Sequence, residues 1–224
     1  MPEFLLYLLL IAAFIFSIFT SVNVKSTFRK YNRMPSSRGV SAATIARQIL
    51  DSNGLYNVQV TRVSGELTDH YDPRTNTVAL SAPVYDSISV GAIGVAAHEV
   101  GHAIQYAKNY TPIKIRMAIL PVAQFGSSAW ILFFILVIVF NISLLRGVGI
   151  GLFAAIVLFQ LITLPVELNA SSRALATIKD QGILFAEEYK GAKKTLTAAA
   201  MTYVASLAVA LLQLLRLIAS SRRD

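Results

Sequence analysis

The sequence predicts a predominantly α-helical integral membrane protein with a small α+β region outside the bilayer. Three observations predict it. Hydrophobic residues make up 55% of the 224-residue chain and charged residues only 14%, a balance too apolar for an ordinary soluble domain. Four stretches, residues 4–24, 117–145, 147–166 and 195–215, contain no Asp, Glu, Lys or Arg, and each reaches the ~20 residues that cross a hydrocarbon core as a helix. Between them lie polar segments in which the pattern alternates between helix and strand.

The first membrane helix is expected over residues 3–24. Its charge-free part, 4–24, follows Glu3 and is followed by Lys25, Arg29, Lys30, Arg33 and Arg38. With no basic leading region and no small-residue cleavage site, it reads as a retained anchor and not as a signal peptide. A soluble segment follows over 25–116. Residues 32–39, rich in Pro, Ser, Gly and Arg, form a linker. Ser41 before residues 42–50 and Gly54 beyond them bracket a short amphipathic helix. Short strands are expected at 58–63 and 77–80, separated by Gly65 and the turn-forming Asp72-Pro73-Arg74. Asp86 or Ser87 caps a helix that runs to about Lys108. The strand at 77–81 is read either as an exposed edge able to hold an extended peptide or as a plain packed strand.

A membrane hairpin is expected over 117–166, with its turn around Asn141 to Gly147. A second soluble segment covers 167–195. The last membrane helix is placed at 196–218, although Thr195, Thr197, Thr202, Ser206 and Gln213 dilute its apolar character.

The formal charge of +8 is concentrated beside these spans, which marks it as topology charge and argues against nucleic acid as a partner. Residues 25–116 and 167–195 hold 16 of the 20 Lys and Arg, leaving Arg146, Arg216, Arg222 and Arg223 elsewhere. By the positive-inside bias, the two soluble segments face the cytoplasm and both termini lie outside. The absence of Cys excludes disulfides and thiolate chemistry.

Two of the three histidines fall in His98-Glu99-Val100-Gly101-His102. Residues four apart share a helix face, so both imidazoles can reach one metal ion, and Glu99 is placed to act as general base on water beside it. Gly91, Gly94 and Gly101 fall near the same side, which suggests close approach by another element. A catalytic zinc site takes a third protein ligand. His70, Glu66, Asp69, Asp72, Asp86 and Glu167 are all candidates. Two crossings separate His102 from Glu167, so both lie on one side of the membrane in either orientation. Ala170, Ser171 and Ala174 follow Glu167 at helical spacing, and Ser171 is placed to hydrogen-bond a ligating histidine.

Four segments carry a resemblance: residues 68–74 (Thr-Asp-His-Tyr-Asp-Pro-Arg), 96–105 (Ala-Ala-His-Glu-Val-Gly-His-Ala-Ile-Gln), 163–171 (Thr-Leu-Pro-Val-Glu-Leu-Asn-Ala-Ser) and 198–205 (Ala-Ala-Ala-Met-Thr-Tyr-Val-Ala). In that order the chain resembles the YugP-type bacterial membrane zinc metallopeptidases over nearly its whole length. The resemblance implies a zincin-like α+β region and a peptidase of the gluzincin kind with one zinc ion. Its ligands would be His98, His102 and Glu167, with Glu99 as base. The 167–174 pattern also resembles the membrane peptidases of the Ste24 and HtpX types, except that Ser171 stands where an Asp is usual there.

His70, Tyr71, Arg173 and Tyr203 are candidate oxyanion donors, and His70 is taken as the catalytic one. The expected partners are the lipid bilayer and a peptide or membrane-protein substrate cleaved at the cytoplasmic face, with the chain in a bacterial cell membrane. The alternative is a non-catalytic metal-binding scaffold or regulatory partner. A transporter is disfavoured because the spans carry no internal charge.

Overall fold

The structure, a computed structural model, describes residues 3–140 and 143–221; the turn expected around Asn141 lies partly outside the described residues. The elements run α1 (Glu3–Tyr31), α2 (Ala42–Ser52), β1 (Gln59–Val63), β2 (His70–Asp72), β3 (Thr77–Ser81), α3 (Ala82–Tyr85), α4 (Val90–Ala107), α5 (Thr111–Phe140), α6 (Ser143–Asp180) and α7 (Ala186–Ser221). The chain is mostly helical with one small sheet. Helices α1, α5, α6 and α7 are long and apolar enough to cross a membrane.

Helices α1, α6 and α7 outrun at both ends the apolar stretches that announce them. Helix α6 continues without a break past Val166 to Asp180, although Pro165 lies inside it. Proline removes one backbone donor and leaves one carbonyl unpaired, and the helix carries that cost mid-course. Helix α7 likewise begins at Ala186, well before its charge-free part.

The chain divides into two compact units. The first consists of residues up to Thr20, Thr111–Pro165, and the residues from Met201 on. Its interior is thin: Phe153, Val157, Ala210 and Leu217 are buried, with Trp130 packed against them, its ring edge-on to Phe153 at 5.3 Å. Large apolar side chains such as Phe4, Ile18, Phe125 and Leu158 are instead exposed. An apolar surface of that extent suits hydrocarbon as solvent and not water.

The second unit, Ser21–Tyr110 and Val166–Ala200, has the core of a water-soluble domain. Ile45, Ile49, Leu50, Val78, Leu80, Ile93, Val100, Ile178 and Ile183 are almost fully buried there. Helix α2 starts as expected, with the Ser41 hydroxyl accepting from the Thr44 N–H. It ends just before Gly54, whose φ of 72° is a left-handed conformation that glycine adopts without Cβ strain.

The sheet order is β1-β3-β2, with β1 parallel and β2 antiparallel to β3. Of the two readings of 77–81, this supports the plain packed strand and not the exposed edge. β3 is the central strand, hydrogen-bonded on both sides, and Val78 to Ser81 are all buried. The physical sign was present: a short unbroken small and apolar run belongs to a strand covered on both faces. The edges are β1 and the three-residue β2, whose last residue, Asp72, the sequence reading placed in a turn.

Candidate metal centre

Helix α4 presents the histidines. Its first turn is capped by Ser89, whose hydroxyl accepts from the Ala92 N–H at 3.2 Å. The expected cap, Asp86 or Ser87, lies too early. The Ser87 hydroxyl instead donates to Ser89 Oγ at 2.9 Å, and Ser89 donates to Asn32 Oδ1 at 2.6 Å. A small polar relay thus fixes the start of the helix and with it the rotation of His98 and His102.

Close approach between α4 and α6 completes the group. A Cβ at Gly101 would lie 2.7 Å from the Ala170 carbonyl oxygen, so only glycine lets the α6 backbone come this near. Glu167, one turn earlier on α6, then meets both rings. Its Oε2 is 3.2 Å from His98 Nε2 and 3.5 Å from His102 Nε2. The imidazole planes stand at 82° with centroids 4.8 Å apart. Donor atoms on His98, His102 and Glu167 all lie within 4.8 Å of one another.

The donor set fits a zinc ion. Two ligands at the usual 2.0–2.1 Å from zinc in a tetrahedron are about 3.3 Å apart, and the two nitrogen–oxygen separations bracket that value. The far side of each ring is already engaged. His98 Nδ1 is 3.1 Å from Ser171 Oγ, the contact anticipated from helical spacing. His102 Nδ1 is 3.0 Å from Gln105 Oε1. The Gln105 amide nitrogen donates to the Val166 carbonyl at 2.8 Å and to Asn169 Oδ1 at 3.0 Å, so its oxygen must face the ring. His102 therefore donates from Nδ1 and keeps the Nε2 lone pair for the shared point. Gln105 is fully buried and ties α4 to α6.

Gln105 carries no role in the sequence reading. The available signal was its position, one turn beyond His102 on the same face. What spacing does not report is that all three of its hydrogen bonds go to the turns that carry His102 and Glu167.

Glu99 is buried. Burial pushes its carboxyl above the ordinary value of 4.5, against the opposing pull of His98 and His102. For His102, burial opposes the charged form, but the hydrogen bond and charge of Glu167, with the charge of Glu99, hold its pKa above 6.5.

The other candidate ligands are engaged elsewhere or stand in the open. Asp69 accepts from the Ser81 N–H at 2.7 Å and from its hydroxyl at 2.9 Å. Asp72 pairs with Arg74 at 3.3 Å and Asp86 with Arg62 at 3.1 Å. Glu66 is exposed. His70 is exposed as well, and its Nδ1 meets the Thr68 carbonyl at 2.8 Å; it is not part of the group that could hold a metal. Of the oxyanion candidates, Tyr71 donates its hydroxyl to Asn76 Oδ1. Arg173 donates to Asn169 Oδ1 and stacks over Tyr110, and Tyr203 lies on α7 in the first unit.

Comparison with known proteins agrees with this chemistry. A family model described as "Putative neutral zinc metallopeptidase" matches residues 6–222. A curated protein of Bacillus subtilis (strain 168), "Putative membrane protease YugP", is 49% identical over 210 residues, which cover 94% of this chain and 93% of that protein. No solved structure matches.

Proposed function

The chain belongs to the neutral zinc metallopeptidase family, and from that premise we propose a membrane-embedded zinc endopeptidase that cleaves membrane-associated proteins or peptides at the cytoplasmic face. One observation carries the reading: a single carboxylate oxygen of Glu167 lies 3.2 Å and 3.5 Å from the two histidine nitrogens of the His98–His102 turn. His98, His102 and Glu167 hold one zinc ion, oriented from behind by Ser171 and Gln105.

Zinc bound there supplies Lewis-acid polarisation of a peptide carbonyl and brings the pKa of water beside it toward ~7. Glu99 follows His98 directly and takes the proton of the attacking water. It then delivers that proton to the leaving amine. His70 is the proposed oxyanion donor.

The zincin-like unit is carried by the segments 25–116 and 167–195. The cytoplasmic orientation rests on their 16 Lys and Arg against four elsewhere. The scaffold alternative leaves a buried carboxylate at Glu99 without purpose, since a metal held only for folding needs no base beside its ligand. The test is cleavage of a membrane-anchored reporter in proteoliposomes. Wild type should cleave it, while Glu99→Gln should keep its zinc and lose cleavage by ~10²-fold or more. Equal zinc with no cleavage by either protein, over a broad panel of reporters, would move the scaffold reading to the front.

A further inference from the structure

The helix that enters the second unit from the first apolar stretch carries a concentration of charge that the metal centre does not use. Val22, Lys25, Ser26, Arg29, Lys30 and Arg33 line a cavity of about 530 Å³. Their spacing of three residues alternating with one puts them in a single stripe along α1 and its C-terminal turn. Among the described residues, no ion pair involves Lys25, Arg29, Lys30 or Arg33. All four are exposed, and Lys30 rests its ammonium 5.6 Å from the centre of the Tyr31 ring.

Membrane orientation needs a number of cations near a span. It does not need them gathered on one face around a cavity with no carboxylate among them. Depth identifies the occupant. The 21 uncharged residues 4–24 rise about 31 Å as a helix, which spends the ~30 Å hydrocarbon thickness. Lys25, Arg29 and Lys30 then follow within about 8 Å, at headgroup level. Arg29 and Arg33 offer planar forks that match phosphate oxygens, and the two lysines add point charge. Val22, exposed at the other end of the stripe, is the side that meets acyl chain.

We propose that this cavity binds the phosphate of an anionic phospholipid headgroup, making α1 a lipid-recognition helix as well as an anchor. The shared chemistry is a phosphate anion, and the phospholipid is its source.

The test uses the full chain in neutral detergent micelles, titrated with fluorescent phosphatidylglycerol and, separately, with fluorescent phosphatidylcholine. Saturable binding should favour phosphatidylglycerol by at least tenfold. Each juxtamembrane cation adds roughly fivefold in affinity for an anionic surface, so Arg29→Gln with Arg33→Gln should weaken binding about 25-fold. Lys179→Gln with Lys194→Gln removes the same charge from exposed positions off the stripe and should leave binding within twofold. Zinc content serves as the folding control for both pairs.

Equal binding of the two lipids would overturn the proposal, as would equal weakening by both double variants. Displacement of the lipid by low-millimolar inorganic phosphate would identify a free-anion site and overturn the lipid assignment.

Discussion

Replacing Gln105 by Leu removes a side chain that touches neither substrate nor metal, yet its effect on metal binding should be large. Gln105 makes three hydrogen bonds: to His102 Nδ1 at 3.0 Å, to the Val166 carbonyl at 2.8 Å and to Asn169 Oδ1 at 3.0 Å. Leucine fills a similar volume and makes none. The two lost donor bonds are worth about 0.5–1.5 kcal/mol each, and the His102 N–H left buried without an acceptor costs about 1–3 kcal/mol more. Folding stability should therefore fall by about 2–6 kcal/mol, with the shared penalties making the lower half of that range the better figure.

The effect on the metal is distinct. With Nδ1–H unpartnered, His102 is free to rotate or to change tautomer, and loss of such a partner typically costs 10–100-fold in metal affinity. Competition against a fluorescent zinc chelator reads this directly in the purified protein, alongside denaturant unfolding of the same sample. Gln105→Glu keeps an acceptor for His102 but turns an oxygen toward the Val166 carbonyl and Asn169 Oδ1. It should lose stability while holding zinc better than the Leu variant. A folded Gln105→Leu protein with zinc affinity within twofold of wild type would refute the reasoning.

Two further outcomes follow from the same geometry. Glu99→Gln should keep zinc, and it should also remove a pH slope from the stability of the metal-free protein. A carboxyl whose folded pKa is raised by burial contributes stability that is fully present below the unfolded value of about 4.5 and lost as pH rises through the folded one. Wild type should thus lose more stability on that rise than the Gln variant, which keeps only the slope from His102, whose pKa is also raised, as denaturant titrations across pH 4 to 8 would read. Gly101→Ala puts a Cβ at 2.7 Å from the Ala170 carbonyl oxygen. Because backbone must move to accept it, about 1–3 kcal/mol of stability should go, and zinc affinity should fall with it as His102 and Glu167 separate.

Much of this was legible because the relevant physics is local or periodic. Charge-free stretches of spanning length mark the four long helices, Ser41 and Gly54 bracket α2, and the four-residue spacing places both histidines on one face of α4. The family resemblance was carried by four short segments, and the match over residues 6–222 bears it out. Zinc as the cofactor rests on that family and on a side-chain group able to hold one ion.

The sequence was weaker where the answer depends on pairing across the chain. β2 has only three residues and exists because β3 offers it a ladder, so no periodicity announces it. The position of β3 at the centre of the sheet is a property of its neighbours. The cap of α4 moved from Asp86 or Ser87 to Ser89 because three nearby oxygens compete and tertiary contact with Asn32 decides. The third-ligand question stayed open on spacing alone, with six candidates. The fold spends Asp69, Asp72 and Asp86 on local partners, leaves Glu66 exposed, and brings Glu167 to the histidines through the glycine contact at Gly101.

The central claim is a His98, His102 and Glu167 zinc centre with His70 outside it. Zinc content per chain of the purified, detergent-solubilised protein tests this most directly, compared across wild type, Glu167→Ala and His70→Ala. About one zinc per chain is expected in wild type and in His70→Ala, with a sharp loss in Glu167→Ala. Full zinc in Glu167→Ala, or loss in His70→Ala alone, would contradict it.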